Sequence, residues 1–309
     1  NNCSNFDNKR WEVPLLIKCE SNNLFFFPFE SSIWRAMFYI DQAISLNVLE
    51  DEAMAFQTGF GLSKFHLICS KLDNSKLENS IKNFHNTKYY IDQYNMTLKD
   101  YKYSKLDNDL EKRTNYLVTR LSSHIDYVRF LLKSLNKCRI DKKIIHGDPK
   151  LNNFLFDVKF KYVVSLIDLD TVSSGFLLTD LADCIRSICN LAGEDPIIKE
   201  NVFFDINICK YFLEGYFSKN KEKIHSSFNF LPEFIYLIIF ELTIRFLTDF
   251  LQSNRYFKIN YETQNLFRAE VQYRLLSSFI PQISNLSNVL HEIGIFPSST
   301  FVSDVQKFV

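Results

Sequence analysis

The residues able to do chemistry gather in one stretch, 143–171, reading KIIHGDPKLNNFLFDVKFKYVVSLIDLDT. Within it His146, Asp148, Asn153 and Asp168 stand out. Their types suit phosphoryl transfer, a reaction in which the protein mainly positions and stabilises charge. One carboxylate is needed to orient the attacking hydroxyl and take its proton. Hard oxygen donors are needed to hold a divalent cation such as Mg²⁺ against phosphate oxygens, and Asp and Asn supply them. Asp148 suits the first task, and Asn153 and Asp168 the second. A plainer alternative is that these residues only satisfy backbone groups in turns. Four such positions punctuating short apolar strands favour the chemical reading.

The stretch also shows how these side chains must be positioned. Ile144 and Ile145 form a short apolar run leading into His146-Gly147-Asp148. A second run covers 154–156, a polar turn follows at 159–161, and a third run over 162–167 ends in Asp168-Leu169-Asp170. Short runs rich in β-branched and aromatic residues, bounded by turn residues, predict strands. A hairpin-like unit is expected to bring Asp148, Asn153 and Asp168 towards one edge. The spacing agrees with the kinase pattern, in which H-x-D is followed five residues after the Asp by Asn, and later by an Asp ending a strand.

With these motifs in view, HGDPKLNNFLFD followed by SLIDLDTVSSGFLLTDLADCIRS resembles the aminoglycoside phosphotransferase/choline kinase superfamily. The segments WRAMFYID at 34–41, FHNT at 84–87, and RFLTDFL with YFK at 245–258 resemble bacterial N-acetylhexosamine 1-kinases in particular. The likeness spans about residues 15–276. It implies an α+β, protein-kinase-like two-lobe fold with a truncated N-lobe and a mainly helical C-lobe. Residues 1–41 would be the remnant of the N-terminal lobe and hinge. Residues 42–309 would be the helical lobe carrying the catalytic hairpin at 143–171. The implied cofactors are ATP and Mg²⁺. Asp148 would be the base or orienting carboxylate and His146 a brace for its loop. Asn153 and Asp168 would hold the metal, and Tyr39 and Asp41 would lie where hinge groups meet the nucleotide. Arg245, Asp249, Asp170 and His85 would contact the acceptor, and Asp180 would steady the catalytic loop.

The implied activity is transfer of phosphate to a sugar hydroxyl, foremost the anomeric hydroxyl of an N-acetylhexosamine. Two alternatives stay open. One is a kinase of another small alcohol, such as an amino alcohol, an aminoglycoside or a different sugar. The other is a pseudokinase-like sugar-binding module without nucleotide handling. The second is raised by an absence: about 40 residues precede the helical lobe, with no G-x-G-x-x-G and no obvious phosphate-contacting Lys. Lys18 belongs to a run resembling later strands of the lobe. The start of the lobe is therefore expected to be missing, either because the sequence, which opens on Asn rather than Met, is a fragment or because the protein is a degenerate relative.

Composition narrows the classes further. The chain has 309 residues, enough for a sizeable core, and 31 are Phe. Thirty-six basic residues balance 36 acidic ones, and no basic run interleaves with aromatics, so a nucleic-acid partner is not expected. Seven cysteines without a C-x-x-C pair point to free thiols in a reducing compartment, hence a cytoplasmic location. The segment 234–251 mimics a membrane span, but Glu241, Arg245 and Asp249 inside it argue against lipid.

Helices are expected from Leu49 with an apolar face of Ala53, Phe56, Phe60 and Leu67. Others are expected over 88–94, 107–135, 177–190 with Thr179 as N-cap, 201–216, 232–251 and 282–293. Runs 15–17 and 24–29 are expected to pair across a turn at 20–23. His66 is expected to be a satisfied structural histidine.

Overall fold

A computed structural model describes residues 10–77, 81–101, 107–219, 225–298 and 300–308; Cys3 and the end of the 73–80 linker lie outside them. The chain opens with β1 (Leu16–Ile17), β2 (Phe27–Phe29), β3 (Ser32–Trp34), β4 (Ala36–Met37) and β5 (Ala43–Ser45). Then come α1 (Glu52–Cys69), α2 (Thr87–Asp100) and α3 (Asn108–Leu135). The central stretch forms β6 (Lys143–Ile145), β7 (Phe154–Asp157), β8 (Val163–Leu166) and β9 (Ser173–Gly175). The rest is helical: α4 (Leu177–Ile188), α5 (Ile206–Phe217), α6 (Leu231–Leu251), α7 (Gln264–Phe279), α8 (Ile283–Glu292) and α9 (Thr300–Phe308). Small sheets in front of a helical body match the expected α+β, kinase-like class.

Pairing departs from the expectation in two places. Strand β1 pairs with β4, and β2 with β3, so the runs 15–17 and 24–29 do not pair with each other. The tight turn at Glu30 and Ser31, with Glu30 at φ 52°, closes the β2–β3 hairpin first and leaves β1 to β4. In the centre, β7 and β8 form the expected hairpin, with β5 on the outer edge of β7. Strand β6, however, pairs with β9 in a separate ladder. Asp148 therefore follows a strand of one small sheet, whereas Asn153 and Asp168 flank the end of another.

Helix α1 starts where Asp51 caps the Met54 N–H at 2.8 Å. Its buried face differs from the one periodicity suggested. Ala53 is exposed and Phe56, Phe60 and Leu67 are half-buried, whereas Met54, Thr58, Gly59, Leu62 and His66 are buried. The reason is backbone-to-backbone packing against α5. A Cβ on Gly59 would lie 2.0 Å from the Phe212 carbonyl oxygen, and one on Gly215 would lie 2.0 Å from that of Phe56. Small residues, not large apolar ones, fix that interface.

Helix α4 begins at Leu177 with no side-chain cap, so Thr179 lies inside it and is not its N-cap. Helix α6 is buried along nearly its whole length, in contact with α2, α4 and α7. Among the described residues no helix is long and apolar enough to cross a membrane, and 234–251 is core. The cysteines among them are free, as expected.

Candidate active site

Strand β6 ends in a loop, 146–150, that is held by its backbone. The Asp180 carboxylate, fully buried on α4, accepts the N–H of His146 at 2.6 Å and of Gly147 at 2.8 Å. His66 Nε2 on α1 donates to the same carboxylate at 2.8 Å, and His66 Nδ1 meets the Tyr216 hydroxyl at 2.9 Å. Burial alone would raise the Asp180 carboxyl, but the His66 hydrogen bond, the neighbouring imidazoles and the Gly147 N–H hold it below its usual value. Gly147 has φ 88°, and a Cβ there would lie 2.6 Å from the Thr171 carbonyl oxygen.

His146 is buried between the two small sheets. Its Nε2 donates to the Ile167 carbonyl at 2.9 Å, which leaves Nδ1 to accept the Asp148 N–H at 3.3 Å. The ring thus ties the loop to the end of β8. Thr171 Oγ adds a second tie, donating to the His146 carbonyl at 2.9 Å.

Asp148 and Asn153 come together. Asn153 Nδ2 donates to the Asp148 carbonyl at 2.8 Å, which leaves Asn153 Oδ1 as an oxygen donor. Asp168 adjoins Ile167, whose N–H bonds the Asn153 carbonyl at 2.9 Å, so both residues sit at one end of the β7–β8 hairpin. Asp168 has left-handed backbone, φ 64°, and is exposed. An Asn–Asp pair of hard oxygens fits Mg²⁺, which takes one or two protein ligands and completes its shell with phosphates and water. Among the described residues no group of three His, Cys, Asp or Glu could hold a metal without such help.

Asp148 opens onto a cavity of about 320 Å³ shared with His85, Asp183, Arg186, Glu194, Glu241, Arg245, Tyr256 and Phe257. Burial and the neighbouring Asp183 raise the Asp148 carboxyl, against the pull of Lys150, whose Nζ lies 2.8 Å from Asp148 Oδ2. Arg186 Nε donates to Asp183 at 2.7 Å and Arg186 Nη2 to Glu194 at 3.0 Å. Sequence reading missed Lys150, Asp183 and Arg186. The i, i+3 acid–base pair on α4 was the available signal for the latter two.

The expected acceptor contacts divide. Arg245 and His85 line the Asp148 cavity. His85 Nε2 donates to the Gly147 carbonyl at 2.6 Å, and Nδ1 lies 3.4 Å from Glu241 Oε1. Burial would lower the His85 imidazole, but Glu241 and the Gly147 carbonyl raise it overall. Asp249 is turned to another task, which corrects its reading as an acceptor contact. Its carboxylate accepts the N–H groups of Arg255, Tyr256 and Phe257 and the Asn265 amide, all within 2.9 Å, so its oxygens are already satisfied. Asp170 lies outside the cavity lining and forms a two-pronged ion pair with Arg35, which ties it to the first strands. Of the expected nucleotide contacts, Tyr39 is 84% exposed, and Asp41 Oδ1 accepts the N–H of Gln42 at 2.8 Å.

A sequence model of the phosphotransferase enzyme family (APH) matches residues 34–200, over half of the chain. The chain belongs to that family. As a phosphotransferase it is a small-molecule kinase, and its fold recurs in solved members. A microcompartment-associated aminopropanol kinase superposes with TM-score 0.54 at 14% identity, covering 90% of this chain and 78% of that one. A choline/ethanolamine kinase family protein of Mesorhizobium loti gives 0.53 at 13% identity, covering 91% and 76%. An amicoumacin kinase in complex with AMP-PNP and Ca²⁺ gives 0.51 at 13% identity, covering 85% and 72%. These identities carry the fold of the phosphotransferase and not its acceptor.

Proposed function

We propose that this phosphotransferase moves phosphate from ATP to a neutral sugar hydroxyl, foremost the anomeric hydroxyl of an N-acetylhexosamine. The supporting observation is the cavity at Asp148. Its volume is of the size that small-ligand sites have, its walls include Phe84, Tyr256 and Phe257, and its charges are balanced. Four carboxylates (Asp148, Asp183, Glu194, Glu241) face four cations (Lys150, Arg186, Arg245, Arg268). A polycationic aminoglycoside would call for a net acidic wall. The choice of the N-acetylhexosamine rests on the flanking motifs at 34–41, 84–87 and 245–258.

In this reading Asp148 orients the acceptor hydroxyl and takes its proton, and its raised carboxyl makes it a better base near neutral pH. Asn153 Oδ1 and Asp168 hold Mg²⁺, as hard oxygens would; the amicoumacin kinase neighbour carries AMP-PNP and Ca²⁺. The ion offsets charge on the phosphates when bound. Asp180, His66 and His146 keep the loop in place. Tyr39 and Asp41 would meet the nucleotide, as the resemblance implies.

The test is phosphate transfer from ATP·Mg²⁺ to a panel of N-acetylhexosamines, simple sugars and amino alcohols. Transfer to an N-acetylhexosamine that falls by 10²-fold or more in Asp148→Asn, with KM little changed, is the expected result. Transfer to other alcohols alone would replace the acceptor. No transfer, with no nucleotide binding, would overturn the reading.

A further inference from the structure

The Arg245 guanidinium sits among four aromatic rings. Its carbon lies 4.7 Å from the centroid of Tyr90, 5.4 Å from Phe84 and from Phe257, and 5.8 Å from Tyr256. All four fall within cation–π range. They come from three separate segments: the turn before α2, α2 itself, and the loop after α6. The side chain is only 10% exposed, and Glu241 Oε1 lies 3.7 Å from its Nη1. The loop that brings Tyr256 and Phe257 is pinned by the three backbone bonds to Asp249. Convergent rings beside a buried carboxylate are the recognition chemistry of an ammonium ligand. Here the chain supplies the cation itself.

We infer that Arg245 is a resident cation filling an aromatic cage in the acceptor cavity, and that it makes this cavity reject quaternary-ammonium acceptors. The inference rests on the Asp148 cavity being the acceptor site. A small organic cation entering it meets a tethered guanidinium that already occupies the rings and faces Glu241. A neutral acceptor meets no such competitor. Removing the guanidinium vacates the cage and leaves Glu241, among the described residues, with Thr87 and His85 as partners, so both the rings and the charge then favour an added cation.

The test is calorimetric titration of tetramethylammonium, at constant ionic strength against sodium and without nucleotide, into the wild-type protein, Arg245→Ala and Arg245→Lys. Arg245→Ala should bind the cation at least ~10-fold more tightly than wild type or Arg245→Lys. The gain should vanish when Tyr90→Leu is added. A cooperatively folded Arg245→Ala that binds no better than wild type overturns the inference, as does a gain that survives loss of Tyr90. If Arg245→Ala melts without cooperativity, recovery of the transition by tetramethylammonium but not sodium supports the cage, and no recovery overturns it. Because no phosphate transfer is read, this result and the sugar-transfer result can fail separately.

Discussion

Asp180 reacts with nothing in the proposed chemistry, yet the reactive loop depends on it. A fully buried carboxylate that accepts two backbone N–H groups and an imidazole is costly to disturb, because removing its charge leaves donors unpaired in the core. Asp180→Asn should lose about 3 kcal/mol of stability at neutral pH, read by urea denaturation. Its native carboxyl lies below the unfolded value, so its contribution is complete above about pH 4 and fades as pH falls through the lower native value. The gap between wild type and Asp180→Asn should therefore narrow only in acid. A gap that stays constant to pH 2 would remove charge from the explanation. At this scale His146, Asp148, Asn153 and Asp168 were legible because their spacing lies within one stretch. Lys150 and the Arg186 network were not, since their partners converge through the fold. Asp249 looked like a ligand on its helix stripe because the sequence does not show the loop that returns to cap it.

Helix α6 and the α1–α5 pair show what periodicity can and cannot read. The boundaries of α3 and α6 were legible to within a residue or so, since long apolar faces between polar stretches specify them. The face of α1 was not, because Gly59 and Gly215 draw two backbones together and rotate the helix away from its large side chains. Gly59→Ala should destabilise the protein by at least about 2 kcal/mol, with a lowered melting temperature, since its methyl would meet backbone rather than a movable side chain. Small residues carry no hydrophobic signal, so such contacts escape a reading based on apolar spacing. On α6, burial pushes the Glu233 carboxyl up to about 7, and its Oε2 is among the buried atoms without a partner. A raised acid contributes stability below its unfolded value that is lost as pH climbs through about 7. Glu233→Gln should accordingly be more stable than wild type at pH 8, by about 3 kcal/mol, and nearly equal to it at pH 4. Thermal melts at the two pH values check this.

At the scale of the whole molecule, apolar side chains are distributed unevenly. The helical body buries its own, whereas residues 13–39 expose Leu15, Phe25, Phe27, Ile33, Trp34 and Phe38 in and around two small two-stranded sheets. Exposed apolar surface of this kind binds hydrophobic dyes. The native protein should brighten anilinonaphthalene sulfonate, and Phe27→Ser with Ile33→Ser should dim it while leaving the melting of the helical body unchanged. An undimmed signal would place the dye elsewhere. A different unevenness concerns the loop at 146–148, which Asp180 grips through main-chain N–H groups and not through side chains. The walls of the cavity beside it come mostly from the turn before α2, from α4 and α6, and from the loop after α6. The two parts are thus held by different elements. Substitutions on those walls can alter what the cavity accepts while Asp180 still holds the main chain of the loop in place.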